Sequence, residues 1–142
     1  MTEEEYLKER VENQIDWYDS KSILNKNYYN RLKFFEILLA LSIPLLSGFI
    51  SSGTEFLKYA IGLIGFLVAG INGILNLFKF HEKWTEYRTV SETLKHEKYL
   101  YLTRKGIYNS DLSYNRFVER IEGHISKENT NWSQYVNDQK LS

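Results

Sequence analysis

The chain contains no cysteine, and that absence removes a group of functions at once. Without thiols it has no disulfide framework, no thiolate metal site and no cysteine nucleophile. An excess of charge is lacking too, because 18 basic side chains balance 18 acidic ones. This balance gives no electrostatic argument for a nucleic-acid partner, and we expect none.

Motifs of catalysis and cofactor binding are also missing. The sequence has no glycine-rich phosphate loop, no dinucleotide fingerprint and no nucleophile elbow. Its three histidines, His81, His96 and His124, are too far apart to form a helical metal pair. We therefore expect no enzyme activity, no metal site and no cofactor.

Two long apolar runs dominate the sequence instead. Residues 59–78 carry no charged side chain, and a helix rising about 1.5 Å per residue would reach about 30 Å over them, the thickness of a bilayer's hydrocarbon core. A second run, residues 34–52, precedes it and contains one acid, Glu36, and the only proline, Pro44. We predict two transmembrane helices joined by a short external turn, residues 53–58. No short basic region opens the chain, so a cleavable signal peptide is not expected.

Basic residues concentrate at one end of this pair of runs. They are Lys26, Arg31 and Lys33 before the first run and Lys79, Lys83 and Arg88 after the second. The connection between the runs holds one acid, Glu55, with Lys58 just beyond it. The positive-inside rule then predicts a multi-pass protein of the cell inner membrane, with both termini in the cytoplasm.

The segments outside the apolar runs have helical periodicity. Residues 1–33 are predicted to form an amphipathic cytoplasmic helix that runs unbroken into the first span. Its predicted inner face is formed by Leu7, Val11, Ile15, Tyr18, Ser22, Asn25, Tyr29 and Leu32. Residues 79–105 continue the second span, which predicts one unbroken helix over residues 57–103. Its predicted face is formed by Phe80, Trp84, Tyr87, Val90, Ser91, Leu94, Tyr101 and Leu102.

A third cytoplasmic helix is predicted within residues 106–142, which end in a polar tail with Trp132 as its anchor. The apolar face of this helix consists of Tyr114, Phe117, Val118, Ile121 and Ile125. The predicted fold class is therefore all-α: a two-span transmembrane helical hairpin with long cytoplasmic helical extensions and a C-terminal cytoplasmic helix.

One face of the second run differs from the rest of it. At 100° per residue, its small and amide side chains share an arc of about 100°, and large apolar side chains fill the remainder apart from Gly70. This amide stripe consists of Gly62, Gly65, Ala69, Asn72, Gly73 and Asn76.

Two interpretations of the amide stripe compete. As a packing seam, it would let helices approach closely while Asn side chains hydrogen-bond across the interface, each contributing ~0.6–2 kcal/mol. As a pore lining, it would face water in a ring of subunits, with Asn72 and Asn76 forming two amide rings. Lys58 and Lys83 lie near the same face, one beyond each end, and would disfavour cations in such a pore.

Glu36 also has two interpretations. An acid within a membrane segment is by default a functional candidate, here at the mouth of a pore together with Lys58, Lys79 and Lys83. Alternatively, Glu36 forms a structural ion pair with Lys79, which is predicted at a similar depth.

Either interpretation of the stripe favours self-association. A two-span hairpin has one neighbouring helix of its own, and a homo-oligomer shelters two amides from lipid more readily. A pore would need about four or more copies, because two helices per subunit cannot enclose water in a smaller ring. We assign the cytoplasmic part of this assembly to Phe80, Trp84, Tyr87, Leu94 and Tyr101. The long second helix would transmit gating.

Four blocks carry a resemblance to a known family. They are residues 6–22 (YLKERVENQIDWYDSKS), 36–49 (EILLALSIPLLSGF), 75–108 (LNLFKFHEKWTEYRTVSETLKHEKYLYLTRKGIY) and 117–132 (FVERIEGHISKENTNW). The sequence resembles the bacterial SLATT family, two-span proteins found beside nucleotide-second-messenger defence systems. The resemblance implies a membrane effector that oligomerises and breaches or depolarises the membrane when a cytoplasmic sensor protein or signal acts. It transfers no catalytic residue.

The leading expectation is a homo-oligomeric, pore-forming or channel-like effector, with itself, membrane lipid, permeating ions and a sensor protein as partners. The second transmembrane helix would surround the axis. The alternative is a membrane-anchored, non-conducting helical scaffold that recruits cytoplasmic partners.

Overall fold

The computed structural model describes residues 1–141, without the side chains of Trp132 and of residues 135–141. All regular elements in this described part are helices, as the sequence predicts. The predicted anchoring role of Trp132 therefore lies outside the described side chains. The elements are α1 (Glu3–Glu5), a π-helical segment (Tyr6–Glu12), α2 (Asn13–Ser47), α3 (Phe56–Phe78), α4 (Phe80–Leu102), a 3-10 turn (Gly106–Tyr108) and α5 (Ser113–Leu141).

The N-terminal arm begins with a reciprocal cap. The Glu5 amide donates to the Thr2 hydroxyl at 3.2 Å, and the Thr2 amide donates to the Glu5 carboxylate at 2.8 Å. Three glutamates in the first turn complement the positive end of the helix dipole. No glycine or proline follows before Pro44, so the chain stays helical through the π-helical segment to Ser47, and the prediction of an unbroken arm is confirmed.

The chain divides into two compact units. The first, which we term the bundle, comprises Met1–Ser22 and the chain from Thr85 onward. The second, the hairpin, comprises Ile23–Trp84 and holds most of α2, all of α3 and the first turn of α4.

Within the hairpin, α2 and α3 pack antiparallel. Glu36 bonds Asn72, Tyr28 stacks on Phe80 and Lys26 lies over Trp84, so contacts earlier in α2 pair with residues later in the chain. The less exposed face of α2 recurs every three or four residues, as predicted, and continues to its end: Asn25, Tyr29, Leu32, Glu36, Leu39, Ile43 and Leu46. The matching face of α3 consists of Leu57, Ile61, Ile64, Val68, Ile71 and Leu75.

The helix boundaries differ from the predicted spans. α2 ends at Ser47 rather than at residue 52, and α3 begins at Phe56, inside the predicted external turn. Between them, the Thr54 hydroxyl accepts a hydrogen bond from the Ser51 amide at 2.8 Å, and Gly53 adopts a positive φ of 117°. In the described part, one helical stretch, Phe56–Leu102, is long and apolar enough to cross a membrane. The apolar part of α2 is shorter, because the helix stops at Ser47.

The predicted unbroken second helix is interrupted at one residue. Lys79 adopts a left-handed conformation, with φ 52° and ψ 41°, and separates α3 from α4. Helix α4 ends at Leu102, close to the predicted stop, where Arg104 and Gly106 take positive φ values.

The bundle packs the N-terminal arm, α4 and α5 around one core. The core consists of Tyr6, Val11, Ile15, Tyr18, Leu94, Tyr101, Tyr108, Phe117, Ile121 and Ile125. The predicted face of α5 and the predicted face of the arm from Leu7 to Tyr18 point into it, which confirms them. The rest of the predicted arm face, Asn25, Tyr29 and Leu32, lies in the hairpin. Leu102 was placed on the inner face of α4 and is half-exposed instead, because the buried face of α4 follows Leu94, Glu97 and Tyr101.

Candidate functional site

The amide stripe of α3 lies on a different face from the one that contacts α2. Of its members, Gly65 is partly buried, and the others are exposed. At 100° per residue, the stripe is centred about 110° from the face that packs on α2. The remaining outer surface carries large exposed apolar side chains, including Leu63, Phe66 and Leu77. Helix α2 therefore reaches one edge of the stripe, where Asn72 bonds Glu36, and leaves Gly62, Ala69, Gly73 and Asn76 exposed.

The glycines of α3 are not there to let α2 approach. A Cβ added at Gly62, Gly65 or Gly73 would meet no atom within 4 Å, and the same holds at Gly70, outside the stripe. Close packing within the chain therefore does not explain the small side chains of this face.

A chain of hydrogen bonds ties the stripe to a buried acid. The Lys33 ammonium donates to one Glu36 oxygen at 2.8 Å, and the Asn72 amide donates to the other at 2.8 Å. The Asn76 amide in turn donates to the Asn72 carbonyl oxygen at 2.7 Å. Glu36 is 7 % exposed, which leaves water little access to its carboxylate. The two hydrogen bonds satisfy both carboxylate oxygens at this buried position. Because Asn72 is held from across the hairpin, this contact fixes how far the stripe is rotated relative to α2.

Glu36 forms an ion pair with Lys33, three residues earlier on the same helix. The predicted pairing of Glu36 with Lys79 stays a prediction. At the other end of the hairpin, Lys58 lies 4.0 Å from Glu55 in an exposed pair that carries little energy. Lys83 is partly buried in the first turn of α4. Sequence reasoning missed Lys33, although its three-residue spacing from Glu36 signals a helical ion pair.

A cleft of about 230 Å³ opens at the end of the polar chain. Lys33 and Tyr29 of α2, Asn72, Leu75 and Asn76 of α3, and His81 and Glu82 of α4 line it. Tyr29 and His81 lie ring to ring at 5.0 Å, and His81 contacts Trp84 edge-on at 5.4 Å. Phe80 and Trp84, predicted to assemble copies, thus belong to an aromatic cluster inside the hairpin.

Two other predicted assembly residues are placed in the core of the bundle. Leu94 is 0 % exposed and Tyr101 is 1 % exposed, so neither offers surface to a second copy, and that assignment is corrected here. Tyr101 stacks on Phe117 at 4.2 Å, and Tyr87 contacts Trp17 at 5.7 Å. Their role is to hold one chain together.

The bundle contains a set of tyrosine–glutamate pairs that the sequence pattern did not reveal. The buried hydroxyls of Tyr6, Tyr18, Tyr101 and Tyr108 donate to Glu122, Glu128, Glu3 and Glu97, respectively. Burial, together with the adjacent carboxylate, raises the pKa of each of these tyrosines, that of Tyr101 to about 12. Each pair satisfies a polar atom that would otherwise be buried alone.

Glu97 is the most deeply buried carboxylate in the described part of the chain. The Arg120 guanidinium binds it through two nitrogens, and Tyr108 donates a further hydrogen bond. Arg120 holds the pKa of Glu97 below its usual range despite burial. Among the residues that the structure describes, no group of three His, Asp or Glu side chains is placed to bind a metal ion.

Comparison with known proteins identifies a family. The model of a family described as "protein of unknown function (DUF4231)" matches residues 13–115, well over half of the chain. This chain belongs to that family. The match covers α2, α3, α4 and the start of α5, and therefore the whole hairpin together with the amide stripe and Glu36. No curated protein and no solved structure matches the chain.

Proposed function

We propose that this DUF4231 chain is a homo-oligomeric bacterial membrane protein whose hairpin crosses the bilayer twice, with the amide stripe of α3 facing a conducting axis. Both termini lie in the cytoplasm, on the side of the basic residues that flank the two runs. The resemblance to SLATT effectors supports the same proposal, with a cytoplasmic sensor or signal as the activator.

The exposure of the stripe carries the proposal. In hydrocarbon, an amide without a hydrogen-bond partner costs roughly 2–7 kcal/mol. Asn72 has Glu36 as its partner across the hairpin, so Asn76 is the amide that most needs cover or water. Asn76 is exposed, and its described hydrogen bond goes to Asn72, on the same stripe. Since α2 lies on another face, copies of the same molecule are the simplest cover, either in contact or around a water-filled axis.

The proposal that α2 also crosses the bilayer is supported by the outer surface of that helix. From Phe34 to Leu45, the large apolar side chains on this surface are 48–69 % exposed: Phe34, Phe35, Ile37, Leu38, Leu41 and Leu45. A helix over residues 34–47 rises about 21 Å, short of the roughly 30 Å core, so the apolar loop residues Phe49 and Ile50 must complete the crossing. Local thinning of the bilayer around a short span costs little.

Reconstitution into liposomes tests conduction directly. We expect ion flux above that of empty vesicles from protein whose mass in detergent corresponds to four or more copies. Asn76→Leu should change the conductance while the oligomer mass stays constant, because Asn76 bonds only within the stripe. Well-assembled protein that passes no more ions than empty vesicles would refute conduction.

Two glycines separate the packing and pore interpretations. Gly62 lies on the stripe and Gly70 outside it, and both have equally empty surroundings within the chain. If the stripe is a tight seam between copies, Gly62→Leu should dissociate the oligomer and Gly70→Leu should not. If the stripe faces a pore, both variants should stay assembled and flux should fall only in Gly62→Leu. Equal behaviour of the two variants would contradict any special role for the stripe.

The scaffold alternative is favoured by a different observation. Tyr99, Leu102, Ile107 and Leu112, at and after the end of α4, are exposed by 45–63 % although they are apolar. Exposed apolar side chains of this kind suit a protein partner. On this alternative, assembled protein conducts nothing, and Leu112→Asp abolishes the cellular effect of the protein while Asn76→Leu leaves it intact.

A further inference from the structure

The break between α3 and α4 occurs where the local sequence gives no reason for one. Lys79 is left-handed, yet the surrounding residues Asn76 to Glu82 contain neither glycine nor proline. A residue with a Cβ is disfavoured in this conformation, and lysine is not among the side chains that tolerate it. The interruption also removes several hydrogen bonds from the i to i−4 ladder. Local preference therefore favours a continuous helix.

Aromatic stacking opposes that preference. Phe78 and Phe80 lie on either side of Lys79, with ring centroids 5.6 Å apart and planes inclined by 16°. Tyr28 of α2 also stacks on Phe80, with ring centroids 5.5 Å apart and planes inclined by 30°. In an unbroken helix, side chains two positions apart point to opposite sides and cannot stack. The left-handed conformation of Lys79 thus brings Phe78 and Phe80 together. The stacking of Tyr28, Phe80 and Phe78 in turn stabilises the interruption of the helix.

We infer that Lys79 is a two-state joint: a broken state, held by the Tyr28–Phe80–Phe78 stack, exchanges with a state in which α3 and α4 form one continuous helix. The joint also controls the cleft at the end of the polar chain, because Asn76 lines it before the break and His81 after it. Straightening the helix moves His81 and Glu82 around the axis relative to Asn72 and Asn76. A conformational change at Lys79 therefore opens or closes access to the amide stripe through this cleft.

The joint goes beyond conduction and is tested without it. Because the chain has no cysteine, Leu63→Cys and Thr89→Cys introduce the only two sites for nitroxide spin labels. In an unbroken helix, these positions are about 39 Å apart, and any bend at Lys79 brings them closer. The interspin distance distribution, measured by pulsed electron paramagnetic resonance in detergent, reports the state of the joint whether or not the protein conducts.

Four variants define the outcome. Lys79→Ala, which favours the right-handed helix, should shift the population to a peak near about 39 Å. Lys79→Gly, which relieves the left-handed conformation, should keep the shorter distance and narrow its distribution. Lys83→Ala removes the same charge one turn later and should match the labelled parent. Phe80→Leu, which removes the stack by a different route, should behave as Lys79→Ala. A parent already at about 39 Å, or Lys79→Ala and Phe80→Leu both unchanged from it, would overturn the inference.

Discussion

Removing the guanidinium that holds Glu97 tests the bundle most sharply. In Arg120→Met, the buried carboxylate loses two hydrogen bonds, including the one from Arg120 Nε at 2.9 Å, and keeps that from Tyr108. Breaking a buried ion pair on one side costs about 3–5 kcal/mol. The Arg120 side chain is 48 % exposed, so water screens part of the interaction, and we expect about 2–3 kcal/mol. For a chain of this size, that lowers the melting temperature by roughly 6–12 °C.

The pH dependence follows from the direction of the pKa shift. Arg120 lowers the pKa of Glu97 below its value in the unfolded chain, so the pair stabilises the native state above about pH 4.3 and its contribution is lost as the pH falls through the native pKa. In Arg120→Met, burial is no longer offset, and the pKa of Glu97 rises above the unfolded value. The loss of stability of Arg120→Met relative to the parent is therefore largest at neutral pH, and it shrinks as the pH approaches 4.

Thermal unfolding in detergent, followed by the near-ultraviolet circular dichroism of the buried tyrosines, measures this deficit. Arg116→Met is the matched control, because Arg116 lies one turn earlier on α5 and makes an exposed bond to the Ile107 carbonyl at 3.2 Å. Adding Glu97→Gln to Arg120→Met should recover part of the loss, since it removes the unpaired charge. If Arg120→Met loses no more stability than Arg116→Met, or if its loss does not depend on pH, the stabilising role assigned to the Glu97–Arg120 pair is refuted.

Two further predictions use the tyrosines and the absence of cysteine. Since burial raises the pKa of Tyr6, Tyr18, Tyr101 and Tyr108, tyrosinate absorbance at about pH 11 should show these four protonated until denaturant is added. Their stabilising contribution is full below about pH 10 and is lost as the pH rises through the native values; full ionisation in folded protein would contradict it. For the topology, a membrane-impermeant maleimide should label Ser52→Cys in intact cells and label a cysteine at position 119 only after permeabilisation. Equal labelling of both would exclude the proposed orientation.

The buried faces of the helices could be predicted from the sequence, because helical periodicity reports burial directly. The spacing that selected Val11, Ile15 and Tyr18 also selected Tyr29 and Leu32, and all of them lie on the inner side of the arm or α2. The same periodicity could not decide which partner covers a face. In the structure Asn72 bonds Glu36 of α2 whereas Asn76 bonds Asn72, and nothing in the spacing of the two amides predicts this difference.

Contacts between elements were beyond the sequence for a different reason. The hydrogen bond from Asn72 to Glu36 joins α3 to α2, and the periodicity of each helix alone does not show which of its residues meet. Glu97 stood among charged residues and gave no sign of burial, because its cover comes from Arg120, on another helix. The break at Lys79 depends on the aromatic ring of Tyr28, distant in sequence. Local preference cannot report an interaction of this kind.

The bundle and the hairpin differ in whether a single chain covers their polar groups and apolar surfaces. In the described part of the bundle, buried tyrosines and glutamates satisfy one another, and no buried side-chain polar atom lacks a partner. The hairpin leaves its outer apolar surface and most of the amide stripe exposed, although Asn72 bonds Glu36 of α2. In the proposed membrane assembly, an exposed amide gains a hydrogen bond from a second copy, whereas a core that is already satisfied gains little. The proposed assembly should therefore depend on α3 rather than on Leu94 and Tyr101, which are buried within the single chain.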